Sequence, residues 1–360
     1  MKSWLRSLRP CHHGTPNDSR EERLSKPPVI WIKSSVNFLN PVRITSRILK
    51  FRTRMRGQVI FRSSREVKVI SEGQVFRCDL AGRLRKEGKN PVVVGDWVEF
   101  ERNENADRNS DGRVLSVEER KVWLSRRRDV GRARELILAA NVDQVAGVFS
   151  VQKPNIKFGA LDRLLMASAC MGLPAIVVIN KVDLGIPDEV EDRLRVYPTL
   201  GYQLIRTSAE TGEGLDDLEE NLRGKATVLS GPSGAGKSSL ISKVLGIDLK
   251  TQEVSDHNDK GRHTTTAVTW HPGEEEGSAI VDTPGFRDWA LWGLEPRELS
   301  HWMPDLAAHV GDCRFNDCMH LKEPGCAVLG AVESGEIEAR RYRSYVGILE
   351  SVIERQDRDR

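Results

Sequence analysis

The apolar, strand-length run Ala226–Ser230 leads without a break into Gly231-Pro232-Ser233-Gly234-Ala235-Gly236-Lys237-Ser238, and residues 238–244 then take up helical spacing. A strand feeding a glycine-rich turn feeding a helix is a demanding local arrangement. The glycines let successive backbone N–H groups point inward, and the helix adds its positive end, so the turn forms a cradle for phosphate oxygens. Such a turn belongs at the edge of an open parallel sheet, and the flanking sequence agrees. Residues 143–149, 175–179, Gln203–Thr207, Ala226–Ser230 and 278–281 are apolar runs suited to strands buried on both faces. Between them, residues 161–170, Leu215–Leu222 and 238–244 carry helical periodicity, which gives a layered α/β domain.

Other segments fall at the ends of these strands, where open α/β sheets hold their ligands. Asn180-Lys181-Val182-Asp183 follows one strand and Thr207-Ser208-Ala209 ends the next. A carboxylate at Asp183 can accept from both N1–H and the exocyclic amine of guanine, whereas adenine offers it neither pairing. Ser208 and Ala209 supply backbone contacts to the same base. In the glycine-rich loop, Lys237 neutralises β and γ oxygens and the Ser238 hydroxyl is a magnesium ligand. Asp282-Thr283-Pro284-Gly285 places Asp282 toward magnesium through water and the Gly285 N–H near a γ-phosphate. In Gly261-Arg262-His263-Thr264-Thr265-Thr266, Thr265 or Thr266 supplies a further hydroxyl to magnesium, with no basis for choosing between them. Phe286 stands where many GTPases keep a water-orienting Gln, so His263 is the candidate for positioning the nucleophile, with Lys237 as the second catalytic residue. The order is circularly permuted: base-reading segments precede the phosphate loop, which precedes the switches.

Upstream, short β-like runs at 58–61, 66–70, 74–78, 92–94, 97–100 and 113–117 alternate with turns, a pattern suited to a small barrel of the OB type. Arg77, Arg83, Arg85, Lys86 and Lys89 surround one connection and offer a basic loop to RNA phosphates. Residues 1–56 hold 13 Lys or Arg against Asp18, Glu21 and Glu22, and read as a disordered basic extension. Such a tail suits nucleic-acid attraction or organelle targeting, the early acids counting against the latter. No run approaches the roughly 18 apolar residues of a membrane span, so the cytoplasm is the expected compartment.

Six cysteines are too few for a disulfide scaffold, and three of them crowd between residues 313 and 326. Cys313, Cys318, His320 and Cys326 provide three thiolates and an imidazole, enough for a closed tetrahedral zinc site of structural type, with His309 as a less well placed substitute. A helix follows whose Tyr342, Tyr345, Val346, Leu349 and Ile353 share one face, with Arg340, Arg341 and Arg343 expected to offer a basic face to RNA.

With these residues in place, about residues 57–350 resemble the RsgA (YjeQ) family of small ribosomal subunit biogenesis GTPases. The resemblance rests on the barrel, then NKVD, TSA, GPSGAGKS, GRHTTT and DTPGF in permuted order, then CRFNDCMHLKEPGC. It implies a multidomain α/β chain: a basic extension over 1–56, an OB-fold RNA-binding barrel over 57–128, a circularly permuted P-loop GTPase domain over 129–290 and a zinc-binding helical domain over 291–360. It also implies GTP hydrolysis stimulated by the small ribosomal subunit during late maturation. GTP or GDP, that subunit and its rRNA would be the partners of a monomer with no membrane role, and magnesium and one zinc ion the cofactors. By the resemblance Asn180, Lys181 and Asp183 contact guanine. Gly231, Pro232, Ser233, Gly234, Ala235, Gly236, Lys237, Ser238 and Ser239 hold the phosphates, and Cys313, Cys318, His320 and Cys326 bind zinc. The long basic extension is the departure from the family pattern.

Overall fold

Strand β8 (Gln144–Ser150) shows why its run is apolar throughout. Val145 and Phe149 point into one hydrophobic cluster, Ala146 and Val148 into another on the opposite face. The same alternation holds in β9 (Ala175–Asn180) and β11 (Ala226–Ser230), which are buried on both faces. Helix α2 (Phe158–Cys170) covers one face with Leu161, Leu164 and Leu165. Helices α5 (Leu215–Leu222) and α6 (Lys237–Val244) cover the other with Leu218, Leu222, Leu240 and Ile241. A sheet covered on both sides keeps only its strand ends near solvent, and those ends carry the site.

The computed structural model describes residues 54–63, 66–86, 92–103, 110–128, 134–248, 268–283 and 294–359. The basic extension through residue 53, residues 261–266 and residues 284–286 lie outside these.

The central sheet runs β10-β9-β8-β11-β13-β12, with β10 (Gln203–Thr207), β13 (Ala279–Asp282) and β12 (Thr269–Pro272) completing it. The strands from β10 to β13 in this order are parallel, and β12 is antiparallel to β13. Among the parallel strands, sequence order runs outward from β8 through β9 to β10 on one side and from β11 to β13 on the other, with β12 returning antiparallel at the edge. The direction of winding therefore reverses between β8 and β11, which sets the crevice at their carboxyl ends.

Ahead of this sheet, β1 (Arg54–Arg62), β2 (Val67–Ser71), β3 (Gln74–Leu80), β5 (Gly112–Val117) and β4 (Trp97–Arg102) pair in that order, and β4 returns to β1. The result is a closed, OB-like five-strand barrel whose interior includes Val59, Val69, Phe76, Val98, Phe100 and Val114. Residues 92–94, expected as a further strand, are buried but make only one bridge, Val94 to Ala139. The reason is local: the Val93 N–H donates to the Asp96 carboxylate at 2.7 Å, forming a turn in place of a ladder. In the expected basic loop, Arg77 pairs with Asp111 and Arg83 donates to the Leu115 carbonyl, so both brace the barrel. The side chains of Arg85 and Lys86, and all of Lys89, lie outside the described residues. A hairpin of β6 (Trp123–Arg128) and β7 (Arg134–Ala140) spans the expected boundary at 128/129.

The C-terminal part is helical: a 3₁₀ turn at Pro296–Trp302, helices Pro304–Val310 and Ala327–Ser334, and the C-terminal helix Ala339–Asp359. Tyr345 and Leu349 are fully buried, with Tyr342, Val346 and Ile353 packed beside them, as their shared face requires. Arg341 corrects the expected basic face. It is buried, and its guanidinium pairs with Asp162 of α2 and with both oxygens of Asp305, at 3.0 and 2.9 Å for the latter. Burial works against its charge, but the hydrogen bonds and negative charges of Asp305 and Asp162 leave it more basic than an ordinary arginine. The Tyr197 hydroxyl also donates to Asp162, at 2.8 Å.

Candidate functional site

Parallel pairing brings the motif-bearing ends together. Thr207 is level with Asn180, Asn180 with Ser150, Ser230 with Gly147, and Leu229 with Asp282. The segments after β9, β10, β11 and β13 thus emerge along one edge of the sheet, as expected of residues distributed over 100 positions of sequence.

Two glycines shape the loop after β11. Gly231 has φ +152°, and a Cβ there would lie 1.9 Å from the Val148 carbonyl oxygen. Gly236 has φ +94°, and a Cβ there would lie 2.2 Å from Asn180 Nδ2. Neither conformation nor space admits a side chain. The second contact also joins the two loops directly. Asn180, fully buried, donates from Nδ2 to the Ala235 carbonyl at 3.0 Å and accepts at Oδ1 from the Thr207 hydroxyl at 3.3 Å and the Ala209 N–H at 3.2 Å. One amide therefore ties the glycine-rich loop to both base-side segments.

Lys237 opens α6 and donates from Nζ to the carbonyls of Gly231 and Pro232, at 2.8 and 3.0 Å. Its ammonium is thereby held across the mouth of the loop, while Ser233, Gly234, Ser238 and Ser239 are exposed there. Asp183 is exposed, and its Oδ1 accepts from the Ser208 hydroxyl at 2.5 Å. Ser208 Oγ also accepts from the Thr211 N–H at 3.1 Å, which fixes its orientation. The carboxylate keeps one oxygen outside that bond, the disposition needed to accept from a base edge. Lys181 sits in a left-handed conformation, φ +65°, and donates from Nζ to the Lys153 carbonyl. Val182 packs against the main core. Asp282 ends β13, and the neighbouring Thr283 hydroxyl donates to Leu229 at 3.2 Å, holding the strand end beside the loop. His263, Thr265 and Gly285 lie outside the described residues.

The segment after β8 contributes a support that motif reading missed. Besides the Lys153 carbonyl, Gln152 donates to the carbonyls of Leu184 and Gly185 at 3.3 Å each, and Pro154 lies 3.4 Å from where a Gly234 Cβ would stand. The only sequence signal was its position at the end of a buried strand, because a glutamine amide, a backbone carbonyl and a proline ring match no motif.

In the helical part, the ligand atoms of Cys313, Cys318, His320 and Cys326 all lie within 4.8 Å of one another. Cys313 Sγ is 3.5 Å from His320 Nδ1 and 3.9 Å from Cys326 Sγ, and Nδ1 is 3.4 Å from Cys326 Sγ. A tetrahedral zinc with its usual Zn–S and Zn–N bonds sets such atoms roughly 3.5–3.8 Å apart. The donor set fits that ion. His320 presents Nδ1 to the thiols and Nε2 to Ser300 Oγ at 3.2 Å, so a second hydrogen bond orients the ring. Its backbone is held in a left-handed turn, φ +60°, and its carbonyl accepts from the Tyr342 hydroxyl at 2.7 Å. Glu323 accepts from the N–H groups of Met319, Leu321 and Lys322. Partial burial opposes its ionisation, but these bonds and its own N–H hold it at about 2. His309 turns instead toward Glu336, 3.7 Å away, and is not part of the cluster.

Residues 117–292 match the RsgA GTPase family and residues 56–109 match the RsgA N-terminal domain. The chain is also 39% identical over 287 residues to the small ribosomal subunit biogenesis GTPase RsgA of Gemmatimonas aurantiaca, covering 79% of this chain and 92% of that one. The chain belongs to the RsgA GTPase family. Its fold agrees with that of RsgA-type proteins of known structure. YjeQ from Thermotoga maritima superimposes with a TM-score of 0.64 at 32% identity, covering 84% of this chain and 99% of YjeQ. YloQ, described as a circularly permuted GTPase, gives 0.62 at 29% identity over 86% and 99%. As an RsgA-family member this chain is a GTP hydrolase using GTP with magnesium, and its strand order is that of a circularly permuted GTPase. Among the described residues no helix is long and apolar enough to cross a membrane.

Proposed function

We propose that this chain binds the small ribosomal subunit, assists its late maturation, and hydrolyses GTP on it to trigger release. The observation that carries this reading is the set of relatives named small ribosomal subunit biogenesis GTPase RsgA, at 36–40% identity over most of the chain. The barrel over 57–128 and the zinc domain over 291–360 hold rRNA on this reading, and the domain over 129–290 carries the nucleotide. The chain acts as a monomer in the cytoplasm.

Asp183 reads guanine, with the Asn180 amide holding the base-side and phosphate-side loops in register and Lys181, Val182, Ser208 and Ala209 completing the base pocket. The backbone of residues 231–239 receives the phosphates. Lys237 exchanges the Gly231 and Pro232 carbonyls, its partners here, for β and γ oxygens, so its charge is already positioned before nucleotide arrives. Ser238, Asp282 and either Thr265 or Thr266 are the residues that would hold magnesium, which would supply neutralisation of phosphate charge. Gly285 donates its N–H toward the γ-phosphate, and His263 positions the attacking water. Cys313, Cys318, His320 and Cys326 hold a structural zinc ion.

The test is GTP hydrolysis by purified protein alone, with isolated small subunits, and with large subunits. Stimulation by small subunits only is expected, and Lys237→Ala should abolish turnover without unfolding. Equal rates in all three conditions would overturn the assigned partner.

A further inference from the structure

A groove of about 630 Å³ lies between α2, helix α3 (Asp188–Leu194) and the C-terminal helix, and its lining includes none of the phosphate-loop or cysteine-cluster residues. Its charge is one-sided. Arg163 of α2, Arg193 of α3, and Arg340 and Arg343 of the C-terminal helix line it, together with Glu189. Arg163 donates to the Ser351 hydroxyl, Arg193 lies 3.8 Å over the Phe158 ring, and Arg340 is 3.8 Å from Glu338. Among the described lining residues four arginines stand against one carboxylate, Glu189, with Glu338 beside Arg340, a balance that favours an anion.

The floor of the groove carries a second, independent signal. Gly159 and Gly347 line it, and a Cβ added at either would meet nothing within 4 Å. Packing therefore does not call for glycine at either place, although glycine inside a helix costs about 1 kcal/mol relative to alanine. Gly347 sits well inside the 21-residue C-terminal helix. Bare backbone at two points of a cationic groove leaves room for another chain to approach closely.

We propose that this groove is a phosphodiester-binding site that takes consecutive phosphates of an RNA backbone, bridging the GTPase domain and the C-terminal helix. The assignment rests on the reading of the chain as a small-subunit GTPase. The arginines are spread over three helices rather than converging on one point, and Arg340 and Arg343 are three residues apart, about 5–6 Å between Cβ atoms on a helix face. A linear series of phosphates suits that layout better than a single compact anion, and guanidinium groups pair well with phosphate oxygens. Arg341, between them in sequence, points the other way and fixes the helix against α2, so the two outward arginines are presented on a held surface.

The test uses the full chain carrying Arg340→Gln with Arg343→Gln and, separately, Gly347→Leu. Binding is measured to isolated small subunits and to a short oligouridylate across a salt series, with inorganic tripolyphosphate as competitor. The double substitution is expected to flatten the dependence of log affinity on log salt by about 1.4–1.8, two phosphate contacts' worth, which is roughly a 30-fold loss at 0.1 M salt. Gly347→Leu should weaken RNA binding with the slope unchanged, because it removes space and no charge. Both proteins should hydrolyse GTP alone at the parental rate, which shows that they are folded. Unchanged affinity and slope in the double variant, with subunit-stimulated hydrolysis intact, would overturn the groove and leave the proposed function standing. Absence of subunit stimulation in the parent, with the oligouridylate effect present, would do the reverse. Tripolyphosphate binding as tightly as RNA, and lost equally in the double variant, would reassign the groove to a free polyphosphate anion and overturn the RNA proposal.

Discussion

The nucleotide edge and the cysteine cluster are two polar centres built by opposite means. At the nucleotide edge the shape comes from backbone: positive-φ glycines, strand ends at one level, and carbonyls that hold Lys237 and Lys181. Asp183, Ser233, Ser238 and Ser239 are exposed there, while Asn180, Thr207, Ser208 and Thr283 are buried as struts. In the cluster the shape comes from side chains: three sulfurs and a ring nitrogen meet beside a helical core that includes Leu299, Tyr345 and Val328. A site that must admit and release a large ligand is made of loops on a rigid sheet. A site that is to hold one ion permanently is closed within a core.

Removing metal should therefore act far more severely on one centre than the other. With the proposed zinc chelated, the helices Ala327–Ser334 and Ala339–Asp359 are expected to lose amide-exchange protection, reflecting on the order of 10 kcal/mol of metal-linked folding energy, while β8 to β11 stay protected. Equal protection with and without chelator would break the contrast. Next in size is Arg341→Met. Leaving Asp162 and Asp305 buried without their cation should cost about 3–5 kcal/mol in denaturant melts. If the loss appears only in the C-terminal helices, the two centres are independent; if the whole transition shifts, they share one cooperative unit.

Gly236→Val tests the backbone-built centre. The clash with Asn180 and the left-handed conformation should lower guanine-nucleotide affinity by about 100-fold or more by titration, roughly 3 kcal/mol, with little change in global stability. Normal affinity would show that the loop can re-form without the glycine. Smallest is Glu323→Gln in the cluster loop. Because Glu323 is held at about 2, below the unfolded carboxyl value of about 4.3, its contribution is present above that unfolded value and is lost as pH falls toward 2. The melting-temperature gap between parent and variant should accordingly be full near pH 7 and narrow below about pH 4. A gap independent of pH would mean that ionisation of Glu323 contributes nothing.

Much of the architecture was legible because the central strands are buried on both faces, so their composition is unambiguous. Gln203–Thr207 and Ala226–Ser230 form with the expected bounds, and the ligand-type atoms of Cys313, Cys318, His320 and Cys326 converge. What escaped were features decided by tertiary partners. Residues 92–94 are apolar because they are covered, not because they extend a sheet. Arg341 reads as one of three surface arginines until the positions of Asp162 and Asp305, 179 and 36 residues away, are known. The strap of Gln152 to Pro154 acts through a side-chain amide, a carbonyl and a ring, a combination that carries no motif. β12 is short, and only its pairing with β13 and β1 marks it as a strand.

The separation between Arg341 and Asp162 also bears on how the chain is made. Synthesis at about 5–20 residues per second brings Arg341 out roughly 10–40 s after Asp162. In that interval α2 and its sheet can assemble around a carboxylate whose cation does not yet exist. Tyr197, only 35 residues downstream, emerges much sooner and can offer its hydroxyl to the waiting oxygen. The tyrosine thus acts as an early placeholder, and the helix Ala339–Asp359, made well after α2, locks the GTPase domain by delivering the charge that α2 has been held ready to receive.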